Sequence, residues 1–145
     1  MTLIRGSVED RATTAMIGQT VVSPMRYEIV ATSKYIRADL YYRRTAEETA
    51  RFLAAVADEC LRLNCFRVLV SVHFSKPIFT LEKYGFSTFI ELARTHSGQY
   101  AAVTDNREMR IAHDYAVMLA RLRGVNIRTF RDETAAIAWL ENGER

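Results

Sequence analysis

Ser71 and His73 stand two residues apart in the run Ser71-Val72-His73-Phe74-Ser75-Lys76. On an extended strand that spacing puts both side chains on one face, and a serine beside an imidazole raises the chemistry of nucleophilic hydrolysis. Such a serine must also sit on a sharp turn next to an oxyanion hole, and no Gly-x-Ser-x-Gly elbow occurs in the chain. Ser71 falls instead in a β-branched stretch that reads as a buried strand. No active site is expected, and a small hydrolase built on Ser71 or Ser75 is the last of the readings considered.

Metal and cofactor chemistry find less support. His73, His96 and His113 are far apart, and neither Cys-x-x-Cys nor His-Glu-x-x-His spacing occurs. Each histidine reads as a surface or cap residue. No glycine-rich loop matches a phosphate or dinucleotide fingerprint. The carboxylate pairs Glu47/Glu48, Asp58/Glu59 and Asp132/Glu133 read as helix first turns or solvated helix faces. No metal and no cofactor are expected.

Ligand binding is easier to locate. Open α/β sheets bind ligands beyond the carboxyl ends of their strands. Ser71, His73, Ser75 and Lys76 follow one such strand, and Thr104, Asp105 and Asn106 follow the next. The two groups become neighbours if those strands pair. Amides at the start of a helix capped by Asp105, with Lys76 nearby, would suit a small anion. The plainer reading makes Asp105 only a cap and Ser75 only a turn residue. Phe74, Phe79, Tyr84, Phe86 and Phe89 are too many aromatics for one buried stripe. Phe86 and Phe89 fit a core face. That leaves Phe74, Phe79 and Tyr84 as a candidate interface, unless a loop folds over and buries them.

The elements that must position these residues follow from hydrophobic period and capping. The chain has 145 residues, a length suited to one domain. Residues 1–24 are the least patterned and read as an N-terminal arm or extension ahead of a domain spanning 25–145. Tyr27–Ala31 reads as a strand, and Ile36, Ala38, Leu40 and Tyr42 alternate with Arg37, Asp39 and Tyr41 as a second one, forming a β-hairpin. The basic stretch Lys34, Arg37, Arg43 and Arg44, interrupted by Asp39, reads as a solvated strand face. Thr45-Ala46-Glu47-Glu48 is a capping box. Its helix buries Leu53, Val56, Ala57, Cys60 and Leu61 and ends near Asn64. Phe66–Val72 reads as a strand covered on both faces. Pro77 helps start a helix from Ile78 or Thr80 to Thr95, with Phe86, Phe89, Ile90 and Ala93 inward and Gly85 inside it. Tyr100–Val103 is a short strand, and Asp105 with Glu108 caps a helix that buries Ala112, Tyr115, Ala116 and Leu119 and stops at Gly124. Val125–Phe130 is the last strand. Asp132 caps a final helix carrying Ala136, Ile137, Trp139 and Leu140 and ending at Gly143. The expected architecture is α/β: an opening β-hairpin, then alternating helices and strands, giving a mostly parallel mixed sheet of about five strands covered by four helices.

This order and three stretches resemble the SpoIIAA-like superfamily, which includes STAS domains and STAS/SEC14-like bacterial proteins. The stretches are the hairpin feeding the helix at Thr45, the strand Arg67-Val68-Leu69-Val70 with its following loop and helix, and the ending Val125–Asp132 followed by Ala135-Ala136-Ile137-Ala138-Trp139-Leu140. The likeness spans roughly residues 25–141. It implies a non-catalytic regulatory or protein-interaction domain, and on its SEC14 side a small-ligand or lipid-binding module with an apolar pocket beneath the second helix, open near His73 and Phe74. The phosphorylatable Asp-Ser-Ser-Gly-like motif of sporulation antagonists has no counterpart in Ser71–Thr80, which lacks an Asp-Ser pair and a glycine.

Partner classes narrow further. The formal charge is only +3, with basic and acidic residues interspersed, so nucleic acid is not expected as a partner. We expect a homodimer, with a protein partner or a small apolar or anionic ligand as further possibilities. Cys60 and Cys65 are expected as reduced thiols of a cytoplasmic protein. No secretory signal and no apolar run of about 20 residues, as a membrane span needs, is seen.

Overall fold

The computed structural model describes residues 3–7, 15–17, 20–78 and 86–142. The expectations placed on Phe79, Thr80, Tyr84, Gly85 and Gly143 lie outside the described residues. The elements in chain order are β1 (Leu3–Ser7), β2 (Ala15–Ile17), β3 (Thr20–Val22), β4 (Arg26–Ala31), β5 (Ile36–Tyr41), α1 (Ala46–Leu63), β6 (Arg67–His73), α2 (Phe86–Thr95), β7 (Gln99–Thr104), α3 (Arg107–Leu122), β8 (Asn126–Phe130) and α4 (Glu133–Glu141). The fold is α/β. Its main sheet has six strands in the order β1-β4-β5-β6-β7-β8, and β2 and β3 form a separate two-stranded ribbon. β1, β4 and β5 pair antiparallel, while β5 through β8 run parallel.

The sixth strand corrects the expected five. Residues 3–7 lack an alternating pattern, yet β1 joins the sheet edge beside β4, pairing Leu3 with Val30 and Gly6 with Tyr27. An edge strand is held mainly by its backbone bonds, so its side chains need little periodicity. Gly6 lets the Tyr27 ring lie across it, since a Cβ there would come within 1.8 Å of that ring and force it to move. The β4–β5 hairpin is therefore the second and third strand of the sheet rather than its start.

Strand order dictates how the layers form. β5, β6, β7 and β8 follow one another in space as in sequence. Right-handed crossovers then put every connecting helix on the same face. Phe52, Val56 and Cys60 of α1, Phe86, Phe89 and Ile90 of α2, and Met109 and Ala120 of α3 share one core with Ile36, Ala38, Leu40, Val68, Val72 and Tyr100. α4 follows the last strand and is free of that constraint. It covers the opposite face, where Ala136, Trp139 and Leu140 pack on Leu69, Ala101 and Val103. β7, between these layers, has all six residues buried.

Two helices bury faces that coincide only in part with those expected. α1 buries Phe52, Val56, Glu59 and Cys60, while Leu61 is exposed. α3 buries Met109, Ala112, Val117 and Ala120, with the expected Ala116 and Leu119 partly buried against the same core. In both, apolar residues outnumber the positions one face accommodates, so composition left the phase open by a residue. The Thr45 capping box forms, with the Thr45 hydroxyl accepting from the Glu48 amide at 3.1 Å. Asp132 caps α4 by accepting from the Ala135 amide at 2.9 Å.

Among the described residues, no helix is long and apolar enough to cross a membrane. Cys60 and Cys65 are free thiols, the first buried and the second half-buried. Burial in the core, with Cys65 and Glu59 nearby, pushes the Cys60 thiol up to about 12.

Candidate functional site

The carboxyl ends of β5, β6 and β7 meet at the loops read from sequence as ligand-binding. The Asp105 carboxylate accepts from the Phe74 amide at 3.3 Å, bridging the loops after β6 and β7. Asp105 is not the cap of α3. That role falls to Asn106, whose side chain accepts from the Met109 amide at 2.7 Å. The shift by one residue follows from Asp105 being engaged across the loops. With that carboxylate beside the helix start and Asn106 on an inner amide, the N-terminus of α3 is poorly suited to an incoming anion. The Thr104 hydroxyl donates to the Val72 carbonyl at 3.4 Å. Ser75 is buried and bound on both sides, donating to the His73 carbonyl at 2.9 Å and accepting from the Arg43 amide at 3.0 Å. Lys76 is exposed, but its backbone is tied to Arg43.

Phe74 is 64% exposed and stacks on Tyr42 at 5.5 Å between ring centroids. Both take left-handed backbone angles, with φ of 52° and 59°. That conformation is uncommon for bulky side chains and collects at binding sites.

Beneath these loops the helix-covered face holds a half-open cavity of about 110 Å³. Its walls are mostly apolar, with Leu40, Val70, Val72, Phe52, Phe86, Phe89 and Ile127 among them, and its polar contributors include Arg43, Thr49 and His113. Arg43 was read as part of a solvated strand face. It lies instead two residues past the end of β5, where the chain turns inward, and is only 5% exposed. Its guanidinium donates to the Thr49 hydroxyl at 2.9 Å, the Lys76 carbonyl at 2.6 Å and the Met109 sulfur at 3.6 Å. No carboxylate bonds to it among the described residues, and its Nε has no partner. Burial, partly offset by the more distant Glu48, pulls this guanidinium down to about 10, so it still carries its charge at neutral pH.

His113, expected at the surface or as a cap, lines the same cavity because it lies one helical turn from Met109 on the inward face of α3. Its Nδ1 is closed off from solvent and unpartnered. Burial and the neighbouring Arg43 charge push it down to about 4, so the ring is neutral at pH 7. A third orphan, the Tyr100 hydroxyl, points elsewhere. The Tyr100 ring borders the cavity, but its hydroxyl extends over Gly98, where a Cβ would lie 2.5 Å from the oxygen.

The opposite face of the sheet carries a polar network. Register places Asp39 beside Ser71 and Tyr41 beside His73. Arg37 donates to Asp39 at 2.9 Å and to Glu133, at the start of α4, at 2.6 Å. His73 Nε2 donates to Asp39 at 3.0 Å, the Ser71 hydroxyl donates to Glu133 at 3.2 Å, and the His73 ring stacks on Tyr41. Burial raises the Asp39 carboxyl, but hydrogen bonds from His73 and Arg37 outweigh it and hold the group below its ordinary range. Burial likewise opposes the Arg37 charge, and its bonds to Glu133 and Asp39 hold it above the usual guanidinium value. Asp39, His73 and Glu133 each offer an acceptor atom within 4.8 Å of the others. The Arg37 guanidinium already supplies the positive charge between the two carboxylates. Ser71, 1% exposed and bonded to Glu133, is built into this network rather than presented on a turn.

Sequence reasoning thus missed Arg43, His113, Arg37 and Glu133. The i,i+4 relation of Met109 to His113 was the available signal for His113. Nothing local marked Arg43, whose burial depends on contacts from α1, α3 and the loop after β6. Comparison with family models, curated proteins and solved structures gave no match to this chain.

Proposed function

We propose that this chain is a non-catalytic domain that binds a small ligand within its helix-covered face. The observation that carries the reading is a buried guanidinium with no carboxylate partner among the described residues, lining an apolar cavity that a histidine with an unpartnered ring nitrogen also lines. Buried charges are ordinarily paired, and concave, mostly apolar sites with a few convergent polar groups are the usual form of small-molecule sites. The position beneath the second helix and the strand ends agrees with the SEC14 side of the SpoIIAA-like resemblance, which remains part of this proposal.

Native mass spectrometry of the chain purified from its own cells tests the reading. A small-molecule adduct absent from the denatured mass is expected, and Ala116→Leu, which fills the cavity from α3, removes it. A chain that carries no adduct, and whose Val70, Ala116 and Ile127 methyl resonances ignore a panel of small neutral and anionic compounds, overturns it.

A second reading, a regulatory interaction domain that self-associates, draws on the strained and exposed Tyr42–Phe74 pair. It predicts a concentration-dependent dimer in sedimentation, weakened by Phe74→Asp. A strict monomer at high concentration removes it.

A further inference from the structure

We infer that the ligand of this cavity is a short-chain carboxylate, with its carboxyl group on Arg43 and His113 and its hydrocarbon body among Phe52, Phe86 and Phe89. The inference rests on the ligand-binding reading above and names the chemical class. Charge comes first. Arg43 is 5% exposed and, among the described residues, bonded only to a hydroxyl, a carbonyl and a thioether, so no carboxylate there balances its charge by direct contact. The geometry of the free donors comes second. Nε of Arg43 and Nδ1 of His113 are unpartnered nitrogens on residues that line the same cavity. A neutral imidazole carries its proton on either nitrogen. In the Nδ1–H tautomer the two residues hold two N–H groups without acceptors, as many as one carboxylate has oxygens, and a ligand reaches them once the side chains around them give way. A phosphate or sulfate would bring more charge and more acceptors than these donors satisfy, and the rest of the wall is largely apolar.

Size comes third. The volume of about 110 Å³ is less than the roughly 150 Å³ of an apolar protein cavity that accepts benzene. A body of about three to five carbons fills that space, and a longer chain has to leave part of its length outside.

Titration of the full-length chain with the straight series from acetate to octanoate and with isovalerate tests this, read by calorimetry and by the His113 imidazole nitrogen shifts. Saturable binding is expected, with an optimum at about three to five carbons. The uncharged counterparts, butanol and butyramide, should bind about ten- to a hundredfold more weakly, the worth of a charge-assisted hydrogen bond. Arg43→Met should abolish that preference, bringing butyrate binding down to the level of butanol. Should that variant fail to fold, the wild-type comparison of butyrate with butanol and the filled Ala116→Leu cavity still decide the matter. Equal binding of butyrate and butanol overturns the carboxylate class and leaves the ligand-binding reading standing. Absence of binding by every compound overturns both, and assigns the cavity to water.

Discussion

His113 and Arg43 stand close enough that the charge on one suppresses protonation of the other. The sign of the consequence is definite. The unfolded histidine takes a proton near its ordinary value of 6.5, whereas the folded one resists until about pH 4. Between those limits the unfolded chain binds more protons, so stability rises with pH across the window and falls on acidification. The difference amounts to about 3 kcal/mol over the full window. Urea unfolding at pH 7, 5.5 and 4.5 should reveal this slope, and His113→Leu should flatten it. At this scale the sequence was legible where a residue acts on its own neighbours in the chain, as at Thr45 with Glu48 or Asp132 with Ala135. It was not legible where the partner is remote: Arg43 with Met109, or Arg37 with Glu133, whose bond spans 96 positions.

Among the elements, α4 is attached to the sheet in two ways. Trp139 and Leu140 pack on Leu69 and Ala101, and Glu133 at its N-terminus is gripped by Arg37 and Ser71. Arg37 reaches this helix from β5 and so extends the attachment one strand beyond the apolar contact. Arg37→Leu should leave Asp39 and Glu133 facing each other and cost about 1–3 kcal/mol, discounted for the partial exposure of the group. Its acid response should change too. A carboxyl depressed in the folded state stabilises above its unfolded value of 3.8 and loses that contribution as pH falls through the folded value. The wild type should therefore weaken further as Asp39 protonates, a step that should be smaller in the variant, where the His73 bond remains but the Arg37 bond is gone. The run of strands and helices from β4 onward was readable because period and caps agree there. The phases of α1 and α3 were not, since alanines and leucines populate several faces of each helix.

For the whole molecule, a sheet wound with its connecting helices on one side leaves the other side, among the described residues, to the nine-residue α4. That helix reaches β6, β7 and β8, so the face of β1, β4 and β5 keeps Arg5, Arg26 and Glu28 in solvent or partly so. The α/β class was evident from alternation alone. The edge strand β1 escaped because pairing there relies on backbone groups and on Gly6 accommodating a tyrosine. The same layering separates the two thiols. Cys65 is half-buried just ahead of β6, while Cys60 is sealed between α1 and the sheet. A thiol reagent should thus label Cys65 while the protein is native and reach Cys60 only after α1 lifts away. The lag between the two modifications is a clock written into the chain. It times the opening of the wall that borders the cavity, and an occupant of that cavity should slow it.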